Sequence, residues 1–131
     1  MSTIQELRRI LGTCRTLAVV GLSPQWHRPS FFAAKYMQEH GYRIVPINPS
    51  APQILGVKSY PSVTAAAEAG EQIDMVDCFR RPADIPPIAA EAIAIGAKCL
   101  WLQIGVVDEA SAAKARAAGL DVVMDRCVKI E

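Results

Sequence analysis

The 131-residue chain is short of most features that mark a functional class at sight. It has almost no charge excess: 14 Lys plus Arg stand against 13 Asp plus Glu, a formal +1. That argues against a broad nucleic-acid-binding face and leaves only the local placement of cations informative. No apolar run approaches the roughly 20 residues of a membrane span, and residues 1–9 are polar and charged rather than a secretory leader, so a cytoplasmic protein without membrane attachment is expected. The four cysteines, Cys14, Cys78, Cys99 and Cys127, form no Cys-x-x-Cys pair, and only His27 and His40 accompany them. Neither a metal site nor a disulfide framework is expected. With 51% apolar and 21% charged residues the chain is globular, and its length suits one domain over residues 1–131.

What is present alternates. Thr3 and Glu6 form a capping-box pattern ahead of Ile4, Leu7, Ile10 and Leu11 at helical spacing. Residues 17–20 are a continuous apolar run ended by Gly21, the pattern of a strand buried on both faces. Helices are expected over 30–39, 64–69, 84–95 with Asp84 as its cap, and 108–118; strands over 42–47, 73–79, 98–104 and 121–124, with an extended piece near 57–60. Such alternation predicts an α/β fold: a Rossmann-like, doubly wound domain with a five-stranded, mainly parallel sheet and helices on both faces.

Ligands of such sheets bind beyond the carboxyl ends of the strands. The first of these loops runs from Gly21 to Ser30 and carries Ser23 and Arg28 into a helix start, so it suits a diphosphate; an ordinary strand-to-helix connection fits it as well. It has one glycine where a dinucleotide fingerprint needs three, and no Walker Gly-Lys-Ser/Thr follows. The second strand ends in Asn48 rather than the acid an NAD ribose requires. Lys58, Arg80, Arg81 and Arg126 are either neutralising groups for a multiply charged ligand or solvated surface charges. Cys127, between Arg126 and Lys129, is the best-placed thiol for reactivity, although packing of the tail explains it equally. No histidine is paired with it in the sequence, so no catalytic residues are assigned. Trp101 and the other three cysteines read as core, and Trp26 either borders the ligand or anchors its loop. Asp74 and Asp77 flank the third strand, but without an acidic pair after the first strand they do not make a phospho-acceptor site.

Several short segments, taken in order and spacing, carry a resemblance: Ala18-Val19-Val20-Gly21-Leu22-Ser23, Arg28-Pro29-Ser30, Pro46-Ile47-Asn48-Pro49, Asp74-Met75-Val76-Asp77 with Phe79-Arg80, Trp101-Leu102-Gln103-Ile104-Gly105, and Met124-Asp125-Arg126-Cys127. Over nearly the whole chain they resemble the small single-domain CoA-binding proteins, related to the CoA-binding domain of the succinyl-CoA synthetase alpha subunit. Val128 stands where that family usually has proline. The resemblance implies CoA or an acyl-CoA at the carboxyl edge. The diphosphate would lie by Gly21, Leu22, Ser23, Arg28 and Ser30, and the adenosine part near Asn48, Pro49 and Ser50. Phe79, Arg80, Gln103, Ile104, Gly105 and Cys127 would border the same crevice. The subunit's phosphorylated-histidine domain has no counterpart here, so ligase activity is not implied. Three functions stay open: a CoA-binding module without catalysis, a regulatory subunit whose protein partner supplies chemistry, and an NAD(P)-dependent enzyme. A homo-oligomer is compatible with the first two.

Overall fold

The structure, a computed structural model, describes residues 3–126 and residue 128. The chain opens with α1 (Ile4–Thr13), whose capping box is formed as the sequence predicts: Thr3 Oγ1 accepts from the Glu6 N–H at 3.1 Å and Glu6 Oε1 accepts from the Thr3 N–H at 3.3 Å. It is followed by β1 (Thr16–Val20), α2 (Pro29–Glu39) and β2 (Arg43–Ile47). At the C-terminal end of α2, His40 Nδ1 lies 2.7 Å from the Tyr36 carbonyl oxygen.

A two-stranded antiparallel hairpin comes next, β3 (Gln53–Ile54) and β4 (Val57–Lys58). Its first strand is absent from the sequence expectations. The linking pair Leu55 and Gly56 both adopt positive φ, +55° and +73°, the backbone of a tight hairpin turn. Leucine is a poor marker for that conformation, and two-residue strands leave no periodicity to read.

The remaining elements are α3 (Val63–Glu68), β5 (Met75–Cys78), a 3₁₀ turn (Pro82–Asp84), α4 (Ile85–Ala94), β6 (Cys99–Leu102), α5 (Glu109–Ala117) and β7 (Asp121–Val123). The expected cap on α4 is not made. Asp84 is itself in the right-handed helical region and bonds no backbone N–H of the helix, its carboxylate lying 3.7 Å from Arg80 and 3.3 Å from Arg81 instead. The second and third helical residues, Pro86 and Pro87, have no N–H for a capping carboxylate to accept.

All five strands of the main sheet are parallel, in the order β2-β1-β5-β6-β7. Alternate residues enter opposite cores: Ala18 and Val20 meet α3, α4 and α5, whereas Leu17 and Val19 meet α1 and α2. Trp101 is fully buried on the second face, and its Nε1 donates to the Arg126 carbonyl at 2.8 Å. Because the chain moves outward from β1 to β2 and then returns to the other side of β1 for β5, the loops after β1 and β5 leave on opposite faces of the sheet. A crevice between those two loops is the geometric consequence.

Candidate functional site

The crevice is built around Gly21. Its N–H continues the sheet by donating to the Ile47 carbonyl at 3.1 Å, and its φ of +85° turns the chain away from β1. Phe79 continues the neighbouring strand, its N–H donating to the Val20 carbonyl at 2.8 Å. The two segments come so close that a β-carbon on Gly21 would stand 2.6 Å from the Phe79 oxygen.

The loop from Gly21 to α2 is braced internally. Ser30 Oγ accepts from the Ser23 N–H at 3.0 Å, Ser23 Oγ accepts from the Gln25 N–H at 3.1 Å, and Arg28 Nε donates to Gln25 Oε1 at 3.3 Å. Pro29 occupies the first turn of α2, and Arg28 precedes it without a side-chain cap bond. At the end of β2, Asn48 links two loops: Nδ2 donates to the Leu22 carbonyl at 3.0 Å and Oδ1 accepts from the Ser50 N–H at 2.8 Å.

Two cavities open on either side of this centre. The first, about 460 Å³, lies toward β2 and is lined by Asn48, Pro49 and Ser50 together with Ser62, Val63 and Glu91. The second, about 610 Å³, lies toward β6 and is lined by Arg28, Ser30, Phe79 and Arg81 with Gln103, Ile104, Gly105 and Val106. Gly21, Ser23 and Arg80 line both. The second cavity therefore brings together Arg28, Arg80 and Arg81, whereas the charged residues lining the first are Arg80 and Glu91.

Most of the site residues singled out from sequence line one or other of these cavities. Leu22 is fully buried in the core against α2 and lines neither cavity; only its carbonyl takes part, by accepting from Asn48. Cys127 lies outside the described residues, as does Lys129. Lys58 and Arg126 line neither cavity: Lys58 sits 5.4 Å from the Tyr60 ring centre. Trp26 is 71% exposed, with the His27 ring edge-on at 5.8 Å. Ser62, Val63 and Glu91 were not anticipated. They belong to α3 and α4 rather than to strand ends, and the one local signal among them is Ser62 as the cap of α3. Glu91 Oε1 accepts from the Thr64 N–H and hydroxyl at 3.0 and 2.6 Å, which ties the two helices together at the cavity wall.

Three thiols are inert by environment. Burial pushes Cys14 up to about 11 and holds Cys78 and Cys99 well above the ordinary thiol value. The anomalous titratable group is Asp77, 1% exposed in the middle of β5, whose carboxyl is pushed up to about 7 by burial against the opposing effect of a hydrogen bond from Gln103. Among the described residues no three His, Cys, Asp or Glu side chains cluster as metal ligands, and no helix is long and apolar enough to cross a membrane.

Comparison with known proteins gives the family and the fold. The chain is 38% identical over 125 residues to the uncharacterized protein YneT of Bacillus subtilis (strain 168), covering 95% of this chain and 90% of that one. A hypothetical protein from Pyrococcus horikoshii OT3 superposes with a TM-score of 0.92 at 36% identity, over 98% of this chain and 89% of that one. Acetate--CoA ligase [ADP-forming] II of Archaeoglobus fulgidus is 30% identical over 98 residues, 73% of this chain but 14% of the ligase. The sequence profile described as CoA binding domain matches residues 15–131. On that match, this chain belongs to the CoA-binding domain family.

Proposed function

We propose that the protein binds CoA or an acyl-CoA along the carboxyl edge of its sheet and performs no chemistry of its own. The observation that carries this reading is the pair of cavities sharing Gly21, Ser23 and Arg80. CoA is two bulky halves joined by a diphosphate, and a bipartite site with a cation and a strand-to-helix loop at its junction matches that architecture. The diphosphate would rest on the loop from Gly21 to Ser30, the adenosine half in the cavity beside Asn48, Pro49 and Ser50, and the pantetheine arm in the cavity beside Phe79, Gln103, Ile104 and Gly105.

Among the described residues, the ionisable side chains lining the cavities are Arg28, Arg80, Arg81 and Glu91, a set with no nucleophile paired to a base, which favours binding over catalysis. A cytoplasmic setting fits free buried thiols at Cys14, Cys78 and Cys99. A second reading, a subunit whose partner supplies the chemistry, is favoured by the archaeal ligase, in which the matching stretch is a small part of a much longer enzyme. An NAD(P) enzyme is disfavoured because Asn48 is already committed to Leu22 and Ser50.

Calorimetric titration with CoA, NADH and ATP tests the reading. CoA is expected to bind at least tenfold more tightly than NADH, a difference of about 1.4 kcal/mol. NADH binding as tightly as CoA, or no heat with CoA, overturns it.

A further inference from the structure

Asp77 occupies a position where packing alone calls for an apolar residue. It lies in β5, flanked in register by Val19 of β1 and Trp101 of β6. Burying a carboxyl there costs several kcal/mol unless something compensates. Its partner is Gln103, 4% exposed, whose Nε2 donates to Asp77 Oδ1. Gln103 is a junction: its Oε1 accepts from the Val128 N–H at 3.4 Å, its own N–H donates to the Cys78 carbonyl at 3.3 Å, and its carbonyl accepts from the Val106 N–H at 2.9 Å. It also lines the larger cavity.

We propose that Asp77 is a positioning residue for that cavity: acting through Gln103, its carboxylate holds the loop after β6 and residue 128 in the arrangement that accepts the ligand, so that binding tightens as the carboxyl ionises. This rests on the reading of the cavity as part of a CoA site. A carboxamide has one accepting and one donating end, and a carboxylate only accepts. With Asp77 ionised, the Gln103 amide has a single satisfying orientation, NH₂ toward Asp77 and oxygen toward the Val128 N–H. Protonation gives Asp77 a donor of its own. The Gln103 oxygen is then wanted from two sides, and the amide that turns to meet Asp77 sets its NH₂ against the Val128 N–H and releases that contact.

The carboxyl titrates near neutrality, so both forms are populated under ordinary conditions. Among the described residues, the side chains packed around Asp77 are largely apolar. β1 contributes Val19, β6 contributes Trp101 and Cys99, and α1 and α2 bring apolar side chains to this face. Among the described residues, two buried thiols feel its charge, Cys78 and Cys99, and both are held neutral. The cations lining the same cavity are Arg28, Arg80 and Arg81. By linkage, a ligand that binds better to the ionised form must expel the proton on binding.

The test is calorimetric titration with CoA at pH 6, 7 and 8 in two buffers of different ionisation enthalpy, on the wild-type chain and Asp77→Asn. Asparagine keeps the acceptor for Gln103 but cannot ionise. The phosphate monoester of CoA titrates in the same range and contributes equally to both proteins. Between pH 6 and 8 the wild type is expected to gain about threefold more affinity than Asp77→Asn, the share of a roughly fivefold preference for the ionised form that this interval spans, and to release protons that the variant does not. Identical pH profiles and proton counts overturn the proposal. If Asp77→Asn does not fold, the Asp77 carboxyl carbon in the wild type is followed by NMR with and without CoA: saturation should lower its midpoint by about 0.7 pH unit, the same fivefold, and an unmoved midpoint overturns the proposal. Failure of the wild type to bind CoA at any pH overturns the functional reading itself, and this inference with it; CoA binding with an unmoved midpoint overturns the role of Asp77 alone.

Discussion

Gly21 and Phe79 approach so closely that no side chain fits between them: a β-carbon on Gly21 would lie 2.6 Å from the Phe79 oxygen and 2.9 Å from Arg80 Cδ. The contact exists because β1 and β5 are adjacent and end level, Val20 pairing with Cys78. It brings the first loop and the Arg80 side chain to one point, where the two cavities meet.

Gly21→Ala should therefore lose both stability and ligand binding. Alanine at φ +85° is strained, and its methyl meets backbone that cannot move aside cheaply. A loss of about 1–3 kcal/mol is expected from chemical denaturation. Gly105→Ala, at φ +84° with nothing within 4 Å of the added carbon, carries the conformational strain without the clash. A Gly21 variant no less stable than the Gly105 variant would contradict the close approach.

Removing arginines should weaken CoA binding unequally. Arg80 lines both cavities and Arg28 only the larger one, so Arg80→Ala is expected to cost about 1–3 kcal/mol and Arg28→Ala less within that range. Dissociation constants across a salt series check this: each variant should also show a shallower salt dependence than the wild type. Unchanged affinity for either variant removes that arginine from the site.

Asp77 should make stability fall as pH rises through the mildly acidic range. Its folded carboxyl titrates at about 7 and the unfolded one near 3.8. Between those values the unfolded chain has released a proton that the folded chain retains, which favours unfolding by about 1.4 kcal/mol per pH unit at most; above pH 7 both are ionised and the effect levels off. Asp77→Asn should abolish this slope and be the more stable protein at pH 8. Urea titrations of both proteins at pH 5, 6, 7 and 8 decide it, and parallel profiles would refute it.

Cys14, Cys78 and Cys99 should resist modification in the folded protein, since all three are at most 1% exposed and their thiols are held protonated. Any rapid adduct with oxidised CoA is expected on Cys127, whose thiolate would attack the CoA disulfide, form the mixed disulfide and release one CoA thiolate. Intact mass of the wild type and Cys127→Ser provides the readout: an adduct that persists in the variant would place reactivity on a buried thiol and contradict this assignment.

Much of the fold is legible locally. A strand buried on both faces must be apolar at consecutive positions, so residues 17–20 announce themselves, and Thr3 with Glu6 announces the first helix because a capping box is a contact within four residues. Strand-end loops follow from the alternation of strands and helices, which is why Gly21, Asn48, Phe79 and Gln103 could be nominated as one edge. The placement of Leu22 was not legible, because a loop position gives no hint of which way its side chain turns, and here it turns into the core.

The sequence by itself determined that this is a parallel α/β sheet whose first strand runs through a loop into a helix, since both properties reside in runs of a few neighbouring residues. Only the tertiary structure decided that β5 returns beside β1, and with that order came the Gly21–Phe79 contact, the two cavities and their shared arginine. It alone brought Ser62 and Glu91 from separate helices to one wall, and Asp77 and Gln103, 26 positions apart, into one hydrogen bond. Those relations depend on long-range packing and on burial, and burial, which sets the titration of Asp77, is a property of the surroundings rather than of the residue.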